Sequence, residues 1–239
     1  MKCLTWNLEW KLPVSDAGRL IQEEITRHDP DVICFTEVVR NMVPAGYSIE
    51  ADSDYGYKHN GGRRKVILWS KNPWTEIDII GDDEMPRGRF VSGLTGGIRF
   101  VGICIPWSAA HVKDGRKDRK TWQDHVSYCR GLGRIFGRYD SDKVPTCILG
   151  DFNQRIPRVH QPIDVAKALT SAIPPEFTIL TEGMQDSDGK NIIDHIVVSR
   201  ELAGSMTQII PRYASDGTEL SDHVGVFTCL KNRKSEPCY

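Results

Sequence analysis

The chain has 239 residues, of which 39% are hydrophobic and 26% are charged, and its formal net charge is −1 at pH 7. This composition is ordinary for a globular protein and excludes collagen-like, coiled-coil and disordered chains. The apolar runs are only a few residues long, against about 20 needed to cross a bilayer, so a transmembrane helix is excluded too. Because the charges nearly balance, any attraction to nucleic acid has to come from local basic segments.

The seven cysteines are odd in number and form no CxxC pair. Several lie in apolar segments, where they are typical of small buried side chains and not of a disulfide framework or a zinc site. These are Cys3, Cys34, Cys104, Cys147 and Cys229. The first residues, MKCLTWNLEW, lack the long apolar core of a signal peptide. We therefore expect free thiols and a cytoplasmic protein.

Short apolar, β-branched segments bounded by Gly, Pro, Asn or Asp recur along the whole chain and predict strands. In chain order they are Cys3–Asn7, Val32–Thr36, Val66–Ser70, Thr75–Ile80, Phe90–Leu94, Ile98–Ile105, Thr146–Leu149, Phe177–Leu180, Ile192–Ser199 and Val224–Cys229.

Three helices are predicted between these strands. Ser15 is a candidate N-cap for the first, which Pro30 ends. The second carries an apolar stripe from Trp122 to Phe136, and the third begins near Pro162. Strands outnumber helices and do not alternate with them strictly, which favours an α+β protein with much antiparallel sheet over a doubly wound fold. We expect one domain over residues 1–239, with a short polar tail from about residue 231.

Polar residues lie at the ends of predicted strands, or inside them, at five places. Such positions are where a rigid scaffold commonly presents reacting groups. The residues are Asn7, Glu37, Asp151 and Asn153 in GDFN, Asp194 and His195 in IDH, and Asp222 and His223 in SDH.

Each of these signatures alone has an ordinary structural interpretation. GDFN fits an Asx-type turn, SDH fits a polar turn, and Glu37 fits a solvated strand end. Asp194 is harder to explain this way, because a carboxylate between Ile193 and Ile196 loses its hydration unless it is partnered. His195 alternates with Asp194 and should point to the opposite face, so a structural or exposed role is expected for it.

Taken together, the carboxylates, amides and imidazole are the components of a Mg²⁺ site that hydrolyses a phosphoester. Hard cations prefer carboxylate and amide oxygens. Phosphoryl chemistry also needs a group that orients or deprotonates water and donors for the developing charge.

The five motifs together resemble the endonuclease/exonuclease/phosphatase superfamily. They are TWN at 5–7, TE at 36–37, GDFN at 150–153, IDH at 193–195 and SDH at 221–223, in the order that the family has. The resemblance implies a four-layer α/β/β/α sandwich of two mixed, largely antiparallel sheets with flanking helices. It also implies an active site at one rim.

By the same resemblance, Glu37 is expected to be the principal metal ligand, with Asn7 and Asp222 beside it. The expected ion is Mg²⁺, with Mn²⁺ able to substitute for it.

The resemblance also implies the catalytic roles. Asp151 corresponds to the residue that orients or deprotonates the attacking water, and Asn153 to the amide that holds the water or the phosphate. His223 corresponds to the histidine that donates to the scissile phosphate. Asp194 then fixes its tautomer, since an imidazole donates reliably only when its other nitrogen is anchored.

The sequence departs from the family pattern after the strand that ends in GICI. Many relatives carry a histidine or tyrosine there that helps to bind phosphate or to protonate the leaving group. Here the sequence is Pro106-Trp107-Ser108, and the nearest imidazole is His111. Either His111 reaches back into the site, or Trp107 stacks on a base or a ring; we favour stacking. The leaving-group acid is unassigned.

Three local basic segments indicate which phosphoester is cleaved. They are 58–65, 87–89 and 113–120, and Trp107, Tyr55 and Tyr57 are the nearby aromatic residues. Basic loops with aromatic rings suit a nucleic-acid backbone and its bases, with Arg116 and Arg119 as candidate contacts. The alternative is that the runs are only solvated faces.

These features predict a Mg²⁺-dependent phosphodiester hydrolase, a nuclease that acts on DNA or RNA by one-step in-line attack of water. One alternative is hydrolysis of a small phosphoester such as an inositol phosphate, a nucleotide or a lipid headgroup. Another is a non-catalytic binding module on the same fold. Nucleic acid is the expected partner, no membrane association is expected, and a monomer is assumed.

Overall fold

The computed structural model describes residues 1–57, 61–110, 119–139 and 144–233. Within them the helices are α1 Asp16–His28, α2 Gln123–Tyr139 and α3 Ile163–Ala172, and Arg40–Met42 form a 3-10 turn. The strands are β1 Lys2–Asn7, β2 Val32–Val39, β3 Tyr47–Glu50, β4 Arg63–Ser70, β5 Thr75–Asp78, β6 Phe90–Thr95, β7 Ile98–Cys104, β8 Thr146–Asp151, β9 Thr178–Ile179, β10 Asp194–Val198, β11 Leu202–Ile210 and β12 Gly225–Asn232.

All three predicted helices are present, and the first begins and ends where the sequence predicts. The Ser15 hydroxyl accepts a hydrogen bond from Gly18 N at 3.0 Å and so caps α1. Asp29 ends that helix in a left-handed conformation just before Pro30, which cannot continue it.

The strands form two six-stranded mixed sheets. Sheet A has the order β11-β12-β1-β2-β4-β3, and sheet B has the order β5-β6-β7-β8-β10-β9. Only the pairs β1–β2 and β7–β8 are parallel. The prediction of two largely antiparallel sheets is therefore confirmed.

The core consists of three apolar layers. The central layer lies between the facing sheets and includes Val32 and Val66 of sheet A with Phe100 and Leu149 of sheet B. On the outer face of sheet A, α1 packs through Ile21 and Ile25. On the outer face of sheet B, α2 and α3 pack through residues such as Phe136 and Leu169. This is the four-layer sandwich with flanking helices that the sequence predicts.

Two strands, β3 and β11, are absent from the sequence-based prediction. Both lie at edges of sheet A, and β11 has a register shift between Ser205 and Gln208. Edge strands bury less apolar surface and so lack the dense apolar pattern that reveals a central strand.

The cysteines of the described residues are free, as predicted. Five are buried, and Cys229 is partly exposed. In the same part of the chain, no helix is long and apolar enough to span a membrane.

Candidate active site

The candidate site lies where strand ends of the two sheets meet at one rim. In sheet A, Asn7 ends β1 beside Thr36 of the parallel strand β2. In sheet B, Asp151 ends β8 directly opposite Asp194, the first residue of β10. Asn7 Nδ2 donates to Asp151 Oδ2 at 3.2 Å across the gap between the sheets. The topology therefore gathers motifs that are distant in sequence.

Asp151 is at the centre of the site and only 1% exposed. Its carboxylate accepts hydrogen bonds from the Asn153 backbone N at 2.9 Å and from Asn153 Nδ2 at 2.7 Å. Burial raises the pKa of Asp151 to about 7. The positive charge of His223 lowers this pKa, whereas the negative charges of Asp194 and Glu37 raise it further. A carboxyl group with that pKa can accept a proton from water near neutral pH.

Backbone conformation explains the glycine and the asparagine of the GDFN motif. Gly150 has φ +141°, and a Cβ there would lie 2.0 Å from the Ile103 carbonyl oxygen of β7, so the strand end requires glycine. Asn153 adopts φ +52°, a left-handed conformation that asparagine tolerates. Its side chain donates to the Ile105 carbonyl at 2.9 Å, which ties the loop after β7 to the site.

His223 and Asp194 form a close ion pair. Nδ1 of the imidazole lies 2.6 Å from Asp194 Oδ2. Burial disfavours the charged imidazole, but the carboxylates of Asp194, Asp151 and Asp222 outweigh it and raise the pKa of His223 to about 10. The ring therefore carries a proton on both nitrogens at neutral pH, and Nε2 is available as a donor.

Glu37 interrupts β2 in an unusual conformation and is paired with a lysine. Its φ of +47° is rare for a residue with a side chain and costs on the order of 1 kcal/mol. The Lys65 ammonium forms an ion pair with the Glu37 carboxylate. The Glu37 charge also contributes to the raised pKa values of Asp151 and Asp222, so it acts on the same cluster.

The donor set is suitable for a hard divalent cation. Asp151, Asp194 and His223 offer ligand atoms within 4.8 Å of one another. Asp194 Oδ1 is buried and has no hydrogen-bond partner among the described residues. Glu37 and Asp222 add two further carboxylates, and carboxylate oxygens are the ligands that Mg²⁺ prefers.

The predicted metal ligands Asn7 and Asp222 differ in whether their side chains are already engaged by other groups. Asn7 Oδ1 accepts from Glu9 N at 2.9 Å, and Asn7 Nδ2 lies 3.4 Å from His223 Nε2 as well as near Asp151. The Asp222 side chain is 55% exposed, with Oδ1 3.8 Å from His223 Nε2. Asn7 therefore holds its neighbours in place, whereas Asp222 is open to a cation or to solvent.

Of the predicted substrate contacts, Trp107 is 53% exposed on the loop after β7. Nearby, Ile105 N donates to the Asp151 carbonyl at 2.8 Å. Arg119 lies 3.0 Å from a carboxylate oxygen of the buried Asp124, so its guanidinium is already engaged. The predicted contacts His111 and Arg116 lie outside the described residues.

Several side chains of the basic segments are paired or buried within the fold, which the sequence does not indicate. Arg64 pairs with Glu50 at 2.9 Å, and Lys65 pairs with Glu37. Arg89 is 1% exposed, which contradicts the interpretation of segment 87–89 as wholly solvated or substrate-facing. Residues 58–60 and 113–118 lie outside the described residues.

Sequence reasoning missed a cavity of about 210 Å³ beside the His223–Asp194 pair. Its lining combines the basic side chains of Arg155, Lys190 and Arg212 with the carboxyl groups of Asp186, Asp194 and Asp222. The three basic residues are far apart in the sequence, and only the fold brings them together. Only Arg155 could have been found from the sequence, because it follows the GDFN motif by two residues.

His195 has the structural role that alternation predicts. It is fully buried, with Nδ1 2.8 Å from the Thr181 hydroxyl and Nε2 3.0 Å from the Gln154 carbonyl oxygen. Burial lowers the pKa of His195 to about 4.

A family model described as "Endonuclease/Exonuclease/phosphatase family" matches residues 4–223 of the chain. The chain belongs to this family. Members of the family are phosphoester hydrolases that use divalent metals. No curated protein sequence matches the chain.

Solved structures share the fold at low sequence identity. A 3′ phosphatase, NExo, from Neisseria, in complex with a product DNA hairpin, is 16% identical with a TM-score of 0.71, and the match covers 97% of this chain and 99% of that one. An AP endonuclease from Archaeoglobus fulgidus is 16% identical with a TM-score of 0.67, over 96% and 98%. A family member from Bacteroides vulgatus is 16% identical with a TM-score of 0.65, over 97% and 98%.

Proposed function

We propose that the protein is a Mg²⁺-dependent phosphodiesterase that cleaves DNA or RNA by one-step attack of water. The observation that carries this proposal is the cluster of Asp151, Asp194 and His223, whose ligand atoms lie within 4.8 Å of one another at the rim where the two sheets meet. The cluster combines a base, Asp151, with a charged donor, His223, and its carboxylate anchor, Asp194, and further carboxylates for a cation lie beside it; this is the set that phosphoester hydrolysis needs.

Each side chain has a role that its contacts support. Asp151, with its pKa raised to about 7, accepts the proton of the attacking water. Asn153, which is fixed between Asp151 and the Ile105 carbonyl, holds that water or the phosphate. His223, which is anchored by Asp194 and carries both protons, donates from Nε2 to a non-bridging phosphate oxygen.

Glu37 and Asp222, with Asn7 beside them, are the residues that would hold the metal. A bound Mg²⁺ supplies the positive charge that stabilises the phosphoryl transition state. Mn²⁺ is expected to substitute, because it prefers the same oxygen ligands.

Nucleic acid is the substrate class that the surroundings favour. The Neisseria relative was solved with a DNA hairpin, and the Archaeoglobus fulgidus relative is an AP endonuclease. In this chain, Arg155, Lys190 and Arg212 line the cavity beside His223, and the indole of Trp107 is exposed on the loop after β7. Cations with an aromatic surface suit a phosphate backbone and a stacked base.

The test is a gel time course on end-labelled duplex DNA, single-stranded DNA and RNA. Each substrate is incubated with Mg²⁺, with Mn²⁺ and with a chelator, for the wild-type protein and for Asp151→Asn. We expect metal-dependent cutting that the variant lacks, and the product ladder distinguishes internal from terminal cleavage. Folded, metal-loaded protein that cuts none of the three polymers would overturn the nuclease proposal.

A second candidate is a phosphatase of a small or terminal phosphoester. The cavity of about 210 Å³ beside His223 supports it, because Arg155, Lys190 and Arg212 can donate to a phosphate group there, beside the carboxyl groups of Asp186, Asp194 and Asp222. The Neisseria relative is named as a 3′ phosphatase. Release of inorganic phosphate from a 3′-phosphorylated oligonucleotide, a nucleotide and an inositol phosphate separates this activity from backbone cleavage.

A further inference from the structure

Lys65 is a buried cation that faces the carboxylates of the site. It lies on β4, and the antiparallel register of β2 and β4, with Thr36 opposite Val66 and Val38 opposite Arg64, puts Lys65 across from Glu37. Residues that are opposite each other on neighbouring strands share a face of the sheet. The Lys65 side chain is 9% exposed and its ammonium forms an ion pair with the Glu37 carboxylate.

Two aromatic rings beside Lys65 hold the ammonium inside the rim. Nζ lies 5.2 Å from the centroid of the Trp10 ring and 6.0 Å from that of Tyr55. These two rings are stacked, with centroids 5.9 Å apart. Trp10 N also donates to the Glu37 carbonyl at 2.7 Å, which fixes the aromatic wall to the strand that carries the carboxylate.

The charges of the site explain why such a cation is needed. Glu37, Asp151, Asp194 and Asp222 are four carboxyl groups at one rim, and burial of several like charges without compensation is unfavourable. His223 is paired with Asp194, so Glu37 depends on Lys65 as its direct partner.

We infer that Lys65 is a built-in counterion that competes with the divalent metal for Glu37. This inference rests on the proposed role of Glu37 as a metal ligand. Metal binding then requires the ammonium to leave the carboxylate, and the faces of Trp10 and Tyr55, which it already contacts, can retain it through cation–π contacts. Lys65 therefore weakens metal binding and neutralises the charge of Glu37 when no metal is present.

The direct test is a calorimetric titration of chelator-treated protein with Mg²⁺ and, separately, with Mn²⁺. In Lys65→Met the competing charge is lost while the side-chain length is kept, so the Kd should fall about tenfold, the scale of one partly shielded charge contact. Lys65→Arg keeps the charge and should leave the Kd within about twofold of the wild-type value. A Kd in Lys65→Met that equals or exceeds the wild-type Kd would overturn the inference.

Lys71→Met is the matched control. Lys71 directly follows β4 and pairs with Asp29 and Asp31 at the end of the strand away from Glu37, so its removal should not change the Kd. Glu37→Gln separates the two proposals. If that variant binds metal as the wild type does, the metal site itself is misassigned. If it loses binding while Lys65→Met binds no tighter than the wild type, only the role of Lys65 is wrong.

Amine labelling of the wild-type protein provides a measurement that does not depend on variants. Peptide mass spectrometry reports how fast each lysine is acetylated without metal and with saturating Mg²⁺. Lys65 should react faster when Mg²⁺ is present, because its ammonium has left Glu37, and Lys71 should not change. Equal labelling of Lys65 in both conditions would contradict displacement.

Discussion

Nδ1 of His223 lies 2.6 Å from Oδ2 of Asp194, and this contact joins the two sheets. His223 precedes β12 of sheet A, and Asp194 begins β10 of sheet B. The pair therefore fixes the imidazole at the rim and leaves Nε2 facing Asn7, 3.4 Å away. The Asp194 carboxylate both orients the imidazole ring and stabilises its positive charge. One substitution at Asp194 therefore tests both effects.

Asp194→Asn should lower the pKa of His223 from its value of about 10, because the variant removes the carboxylate that contributes most to raising it. The kcat for phosphoester cleavage should fall roughly 100-fold or more, the usual contribution of a positioned acid or base. A histidine NMR titration of metal-free protein measures the pKa. Asp188→Asn, which changes an exposed carboxylate, is the control. An unchanged His223 titration in Asp194→Asn would contradict the assignment.

Asp151→Asn should not destabilise the fold and should stabilise it most at alkaline pH. Because the pKa of Asp151 is raised from 3.8 to about 7, the folded protein binds this proton more tightly than the unfolded chain does. The carboxyl group therefore costs stability as pH rises from about 4 to 7, and an amide does not.

Calorimetric unfolding of both proteins at pH 5 and pH 8 measures this difference. The gain in Tm for Asp151→Asn should be larger at pH 8 than at pH 5. A variant that is less stable than the wild type at pH 8 would show that the hydrogen bonds from Asn7 and Asn153 to the carboxylate outweigh the cost of its burial.

Arg155→Ala combined with Lys190→Ala should weaken binding of nucleic acid and reduce its salt dependence. Each phosphate contact that is lost should reduce the slope of log K against log salt by about 0.9 for duplex DNA and about 0.7 for single strands. Binding is measured by fluorescence anisotropy from low to moderate salt, with Asp151→Asn as the background to prevent cleavage. Arg27→Ala on α1, where Arg27 pairs with Glu24, is the control. Identical slopes for all variants would assign the cavity to another role.

Much of the fold was predictable because central strands carry dense apolar patterns. β1, β2, β4 and β8 are buried along almost their entire length, so their sequences are unambiguous. β11 could not be predicted. It is an edge strand in which only Leu202 and Ile210, at its two ends, are fully buried, and pairing with β12 stabilises it instead.

The sequence motifs identify residues that the fold gathers at the candidate site, but they do not identify the ion pairs that these residues form. The short signatures show Asp151, Asp194 and His223 directly, since each interrupts an apolar segment. The pairing of Lys65 with Glu37 depends on the register of β2 and β4, which no local pattern encodes. For the same reason, the basic run at 58–65 is typical of a substrate surface in the sequence, although Arg64 and Lys65 are paired within the fold.

Two fully buried histidines, His125 and His195, should make the protein sensitive to acid. Burial lowers the pKa of His125 and of His195 to about 4, below the value of 6.5 expected in the unfolded chain. Between these values the unfolded chain binds protons that the folded protein does not, so stability is complete above pH 6.5 and falls as pH decreases towards 4. The loss should be about 1 kcal/mol per histidine per pH unit.

Chemical denaturation from pH 7.5 to pH 4.5 measures this loss. His195→Gln should be less stable at neutral pH, since it disturbs the hydrogen bonds with Thr181 and Gln154, but its stability should depend less on pH. A variant with the same pH slope as the wild type would show that other groups cause the acid sensitivity.

The central claim is that Asp151 is the base of a metal-dependent phosphoester hydrolase. The most direct test compares kcat/KM of the wild-type protein and Asp151→Asn on the phosphoester that is cleaved fastest, at saturating Mg²⁺ and pH 8. The account predicts a loss of at least about a thousandfold in a variant that remains folded, because side chains that act together in one step fail together. Turnover within about tenfold of the wild-type value would contradict it.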